Sequence, residues 1–121
     1  MLLHQFTSLI SEQKETNSLT SVLKINANHE IFEGHFPGQP VTPGVVLIQL
    51  FKEEAERFYS KSFKIEQTNQ AKFLAVVNPQ ENNEIELQSV FLEKEDQIQL
   101  TGKALQKNNV VLKLKLILKP L

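Results

Sequence analysis

The sequence predicts an α+β domain in which one antiparallel sheet of five to six strands wraps around a single long central helix, at about residues 43–60. Three observations carry that prediction. Between Val45 and Ser60 apolar residues recur at helical spacing, behind a proline suited to a first helical turn. From about residue 63 onward the apolar period switches to two, as in half-buried antiparallel strands. The chain has 121 residues, one domain's worth and enough for a single hydrophobic core. A lone helix against one sheet is covered only if the sheet curls around it.

The elements follow in order. Residues 6–13 and 19–25 are β-prone runs separated by the turn-forming "KETNS", and Leu19, Leu23 and Ile25 share one face. Residues 34–44 hold three of the chain's four glycines and three of its five prolines, so the segment reads as an ordered loop. Pro43 then starts the helix. Its first half, "VVLIQLF", is apolar nearly all round and predicts burial on every side. Its second half, "KEEAERFYSK", reads as a solvated surface, with Ile48, Phe51, Ala55 and Phe58 as the apolar stripe. Strands are expected at 63–75, 84–93, 97–105 and 110–118. "EIELQSVFLE", "QIQLTGKAL" and "VVLKLKLILK" each alternate apolar with polar residues, and "NPQENN" and "KNN" supply turns.

Composition narrows the function classes. With 13 Lys and Arg against 14 Asp and Glu, the net charge of −1 argues against a nucleic-acid binder. The absence of cysteine removes disulfides, thiolate metal sites and cysteine nucleophiles. The three histidines, His4, His29 and His35, have no metal-like spacing, so no metal is expected. The N-terminus lacks the pattern of a secretory signal, and no apolar stretch approaches the ~18 residues of a membrane span. A cytoplasmic protein without membrane contact is the expectation.

The candidate chemistry lies in "EGHFPGQPVTPGVVLIQLFKE", residues 33–53. Gly34, Phe36, Pro37 and Gly38 give His35 a rigid mount, as a preorganised general base needs. The amides of Gly44 and Val45 stand at the positive end of the helix, where they are placed to polarise a carbonyl oxygen. Gln49 interrupts the apolar run. An amide donates and accepts hydrogen bonds but gives up no proton at neutral pH. Glu53, one turn later, lies about 40° around and about 6 Å along the axis from Gln49.

Gly34, His35, Phe36, Pro37, Gly38, Pro40, Val41, Pro43, Gly44 and Val45 together resemble the signature loop of the 3-hydroxyacyl-acyl-carrier-protein dehydratases of fatty-acid synthesis, which have the hotdog fold. Looser similarity runs from about residue 18 to 118, through "AKFLAVVNP". The resemblance implies a dimer with the two sheets side by side and an acyl tunnel at the interface, with Phe36 and Pro37 lining the substrate site. The reaction removes water from a 3-hydroxyacyl thioester to give a trans-2-enoyl thioester. No bound cofactor is implied, because phosphopantetheine of acyl carrier protein, or CoA, presents the substrate. The family's histidine corresponds to His35. Its acid, on the partner's central helix, falls at Gln49, so this chain departs from the pattern at a catalytic position. Glu53 is the candidate substitute acid. Three readings follow: a dehydratase of fatty-acid or related polyene or polyketide synthesis, a half-site subunit paired with an active homologue, or a hotdog thioesterase.

Charge is unevenly spread. Residues 81–96 carry six acids and one lysine, and residues 97–121 carry Lys103, Lys107, Lys113, Lys115 and Lys119 without an acid. The basic strands suit docking of an acidic acyl carrier protein, or equally the wet face and edge of a sheet.

Overall fold

The computed structural model describes residues 6–29, 32 and 42–121. Their elements are β1 (Thr7–Lys14), β2 (Ser18–Ile25), α1 (Gly44–Tyr59), β3 (Phe63–Phe73), β4 (Glu84–Lys94), β5 (Gln97–Gln106) and β6 (Asn109–Pro120). One six-stranded sheet runs β1-β2-β4-β5-β6-β3, antiparallel throughout, with β1 and β3 at the edges. The helix lies on one face of this curled sheet, and this is the hotdog arrangement.

Alternation sets the face of each strand. Leu19, Leu23 and Ile25 of β2, Ile85, Leu87 and Phe91 of β4, Ile98, Leu100 and Ala104 of β5, and the even-numbered leucines 112–118 of β6 are all buried. Tight hairpins hold the register. Lys107 and Asn108 both take positive φ (49° and 66°) between Gln106 and its partner Asn109. Two left-handed residues in a two-residue loop match the right-handed twist of the flanking strands.

Ser60, in the left-handed region at φ 54°, ends the helix, and its amide donates to the Glu56 carbonyl. Glu56 also ties the helix to β3, accepting from the Phe63 amide at 2.9 Å and from Lys52 Nζ at 2.8 Å. Phe58 and Tyr59 cover this end of the core against Phe91, with ring centroids 4.5 and 5.5 Å away.

Two expectations about the helix are corrected. Its buried stripe includes Phe51 and Ala55 as expected but is not centred on the line Ile48–Phe51–Ala55–Phe58. It comprises Val46, Leu47, Leu50, Phe51, Glu54 and Ala55, with Ile48 and Phe58 only partly buried on its flanks. The acid in its middle disguised the stripe in the sequence. Nor is the start of the helix buried all round, since Val45 is 59 % exposed. One sheet covers one side of a helix, and Val45 points away from it.

Phe51 packs on the backbone of Gly102 in β5, where an added Cβ would stand 2.6 Å from its ring. The ring fills the space of the missing side chain. Gly102→Val is therefore expected to lose about 1–3 kcal/mol through overpacking. Thermal unfolding checks this, and a midpoint unchanged from the parent protein would refute it.

Candidate active site at the helix start

Pro43 caps α1 in an extended conformation (φ −61°, ψ 143°) and offers no side-chain hydrogen bond. The Pro43 carbonyl accepts from the amides of Val46 at 3.0 Å and Leu47 at 3.3 Å. Among the described residues, nothing accepts from the amides of Gly44 and Val45. These two donors head a 16-residue helix, where the aligned peptide dipoles favour negative charge. No acid occupies the first turn to neutralise them.

Two neighbours of this helix start were not singled out in the sequence. The Phe73 ring, at the end of β3, lies so close to Gly44 that an added Cβ would meet its Cζ at 2.7 Å. Phe73 is nevertheless 47 % exposed, so an aromatic wall stands open beside the free amides. A side chain at 44 would collide with that ring, which gives Gly44 a reason beyond helix initiation. Thr42 is 4 % exposed and its Oγ1 has no hydrogen-bond partner, while its amide donates to the Val77 carbonyl at 2.9 Å. That bond fixes the entry into the helix. Thr42 and Phe73 lie 31 residues apart in the sequence, and no local pattern joins them.

Gln49 and Glu53 stand one turn apart on α1, both half-buried. Burial pushes the Glu53 carboxyl above its ordinary pKa. Lys52 and Arg57 pull it partly back, Glu56 adds to the rise, and the Gln49 amide beside it lowers it a little. The helix thus brings an amide and a partly desolvated carboxyl together, facing away from the sheet. His35, Phe36 and Pro37 lie outside the described residues, as does His4. Among the described residues no group of three or more His, Asp or Glu is placed to hold a metal. No helix among them is long and apolar enough to cross a membrane.

A third acid contradicts the expectation that "KEEAER" is a solvated surface. Glu54 is fully buried, between Ser21 of β2 and Ser89 of β4, themselves 0 and 1 % exposed. Burial pushes its carboxyl up to about 8, against smaller opposing effects from Ser89, Arg57 and Ser21. The two hydroxyls flank the carboxyl without making a well-formed hydrogen bond to it. Arg57 closes the cluster from outside, 3.8 Å from Glu54, 3.4 Å from Glu12 of β1 and 3.3 Å from the Ser21 hydroxyl. A sequence signal did exist. Ser21 and Ser89 occupy inward positions in "LTSVL" and "LQSVF", and polar residues on two buried faces ask for a polar partner.

The sequence profile of the ApeI-like family, described as ApeI dehydratase, matches residues 11–113. The chain belongs to the ApeI-like family. ApeI-like membership accords with its curated relatives. It is 35 % identical over 81 residues to the 3-hydroxyacyl-[acyl-carrier-protein] dehydratase FabZ of Levilactobacillus brevis, covering 61 % of this chain and 55 % of that one. It is 33 % identical over 92 residues to FabZ of Wolinella succinogenes, covering 65 % and 58 %. The chain spans little more than half the length of these relatives. Among solved structures it is similar to the dehydratase heterocomplex ApeI:P from Xenorhabdus doucetiae, with a TM-score of 0.77 at 20 % identity over 93 % of this chain and 97 % of that one. It also resembles the Lactococcus lactis protein yhdA, with a TM-score of 0.71 at 11 % identity over 100 % and 97 %. At these identities the structures speak for the hotdog fold alone, and this ApeI-like chain has it.

Proposed function

We propose that this ApeI-like protein is a hydro-lyase acting on 3-hydroxyacyl thioesters, carried by acyl carrier protein, in fatty-acid or related polyene or polyketide synthesis. The observation that carries the reading is the pair of unclaimed amides at Gly44 and Val45, on the same helix as the Gln49–Glu53 pair. The thioester oxygen accepts from the two amides, which hold the negative charge that develops as the C2 proton leaves. His35 takes that proton. Gln49 holds the C3 hydroxyl, and Glu53, whose carboxyl burial pushes above its ordinary pKa, gives it a proton so that it departs as water. The products are water and a trans-2-enoyl thioester. Phe36 and Pro37 line the substrate site, and Phe73 walls the amide end. No bound cofactor is needed.

The protein acts as a dimer in this reading. Val45 and Phe73, 59 and 47 % exposed, flank Gly44 where the helix start meets the edge strand β3, and Val76, 66 % exposed, precedes the Val77 carbonyl that holds the Thr42 amide. A second hotdog chain joined along that edge covers them. Either a second copy or a homologue can serve as that chain, and Gln49 favours one specific alternative. In that alternative the chain is a half-site subunit whose partner brings the acid. Its ApeI:P neighbour is itself a dehydratase heterocomplex.

Purified protein, alone and mixed with an acid-bearing homologue, is to be given 3-hydroxyacyl and plain acyl thioesters while enoyl absorbance and free thiol are followed. Enoyl product from the protein alone is the expected result. Enoyl product only in the mixture selects the half-site reading. Thiol release without enoyl product overturns both and leaves a thioesterase.

A further inference from the structure

We propose that Phe73 is a selectivity residue of the candidate active site: the edge of its ring excludes acyl groups that carry a substituent at C2. The inference rests on the proposed function for the place of the thioester. It goes beyond that reading in naming which acyl groups fit.

The ring stands where such a substituent would go. A carbon built on Gly44 in the direction of a side chain would lie 2.7 Å from Cζ, 3.1 Å from Cε1 and 3.3 Å from Cε2 of Phe73. Carbon atoms in contact settle about 3.5–4.0 Å apart. This flank of Gly44 therefore has no room for one more carbon. The same geometry puts the edge of the ring within about 5 Å of the Gly44 nitrogen. A thioester oxygen that accepts from the Gly44 and Val45 amides sits about 2.9 Å from each nitrogen. C2 is only two bonds from that oxygen, so the reacting end of the acyl group passes beside the ring.

Polarity selects the arm of the thioester that faces Phe73. The carbonyl carbon carries a polar pantetheine arm through sulfur and an apolar acyl arm through C2. The segment from Phe73 to Val77 borders the helix start at both ends, through the ring at Gly44 and through the Val77 carbonyl at the Thr42 amide. Within it Leu74 and Val76 are 45 and 66 % exposed, so this border is apolar. Apolar surface is stabilised by covering apolar surface, and the acyl arm belongs on this side.

Packing does not account for the ring. Phe73 lies outside the buried core, on an edge strand that is exposed and, apart from Ala71, polar from Glu66 to Lys72. Its backbone is nevertheless held firmly. Phe73 pairs with Leu112 of β6, the Leu74 amide donates to the Val111 carbonyl at 2.8 Å, and the Val77 carbonyl accepts from Thr42 at 2.9 Å. A substituent at C2 thus meets a ring whose support is tied to β6 and to the helix entry.

Binding is to be measured by titration calorimetry with three pantetheine amides, which keep the carbonyl and undergo no elimination or hydrolysis on this timescale. One carries a straight-chain 3-hydroxyacyl group, and the others are the two C2 epimers of its 2-methyl homologue. One carbon in a fitted pocket changes affinity about ten- to two-hundred-fold, so wild type is expected to bind at least one epimer ten-fold or more weakly than the straight-chain ligand. Phe73→Leu and Phe73→Ala remove the atoms at the ring edge and are expected to bring that epimer within about three-fold of the straight-chain ligand. The readout is a ratio within each protein, so a general weakening of binding cancels. The thermal midpoint of Phe73→Leu should stay close to that of wild type, because the ring is outside the core. Equal binding of all three ligands by wild type, the same discrimination in the folded variants, or no binding of any ligand overturns the proposal. Failure of the dehydratase reading shows separately, as absent enoyl product from the straight-chain 3-hydroxyacyl thioester with this binding pattern intact.

Discussion

Glu53→Gln is expected to lower the rate of enoyl formation about 10²- to 10⁴-fold, the usual cost of removing a general acid. The argument starts from the amide at 49, which holds a hydroxyl but gives up no proton. Glu53 is the half-buried acid beside it, and burial raises its pKa, which favours the protonated form that a general acid uses. A general acid works in its protonated form, so the rate should fall as pH rises through that raised pKa. Gln49→Glu places a second carboxyl next to the first. Like charges raise one another's pKa, so this variant should keep its activity with the alkaline limb moved to higher pH. The measurement is a pH–rate profile of wild type and both variants on one 3-hydroxyacyl thioester. Full activity in Glu53→Gln, or at least a hundred-fold gain in Gln49→Glu, would remove Glu53 from the mechanism and return the role of acid to position 49.

The second large effect concerns stability. Glu54 is fully buried with its pKa raised from 4.5 to about 8, so it is protonated in the folded protein at neutral pH and ionised in the unfolded chain. Between those values the unfolded state binds fewer protons than the folded one, and stability must fall as pH rises. The contribution is complete below about 4.5 and gone above about 8. At about 1.4 kcal/mol per pKa unit, the change is of the order of a few kcal/mol. Urea unfolding of wild type and Glu54→Gln between pH 5 and 8 isolates it, because other titrating groups cancel in the difference. The wild type should lose stability relative to the variant across that range. Parallel curves would mean that the carboxyl reaches water or a cation when ionised. Arg57, already 3.8 Å away, is the group that would provide the latter.

The element plan was legible because it rests on local physics. Period-two alternation in "VVLKLKLILK" can bury only one face of a strand, and β6 buries the expected four leucines. Pro43 fixed the start of the helix to within a residue, since its own φ suits a helix entry and it has no amide to leave unpaired. The loop motif carried the family, because so many residues coincide within one short stretch. The proximity of Gln49 and Glu53 followed from the helical repeat alone.

What the tertiary structure decided is the set of relations between residues far apart in the chain. "KEEAER" looks like a wet surface because acids usually are. Only the curl of β2 and β4 over the helix shows that Glu54 meets two inward serines while its neighbour Glu53 faces away. Phe73 belongs to the helix start only because β3 pairs with β6 in a register that brings its last residue over Gly44. The lysines of three strands lie far apart in sequence and become a row only through the pairing of Lys72 with Lys113 and of Lys113 with Lys103. Backbone hydrogen bonding sets such registers, and a shift of one residue would turn every one of these side chains to the opposite face.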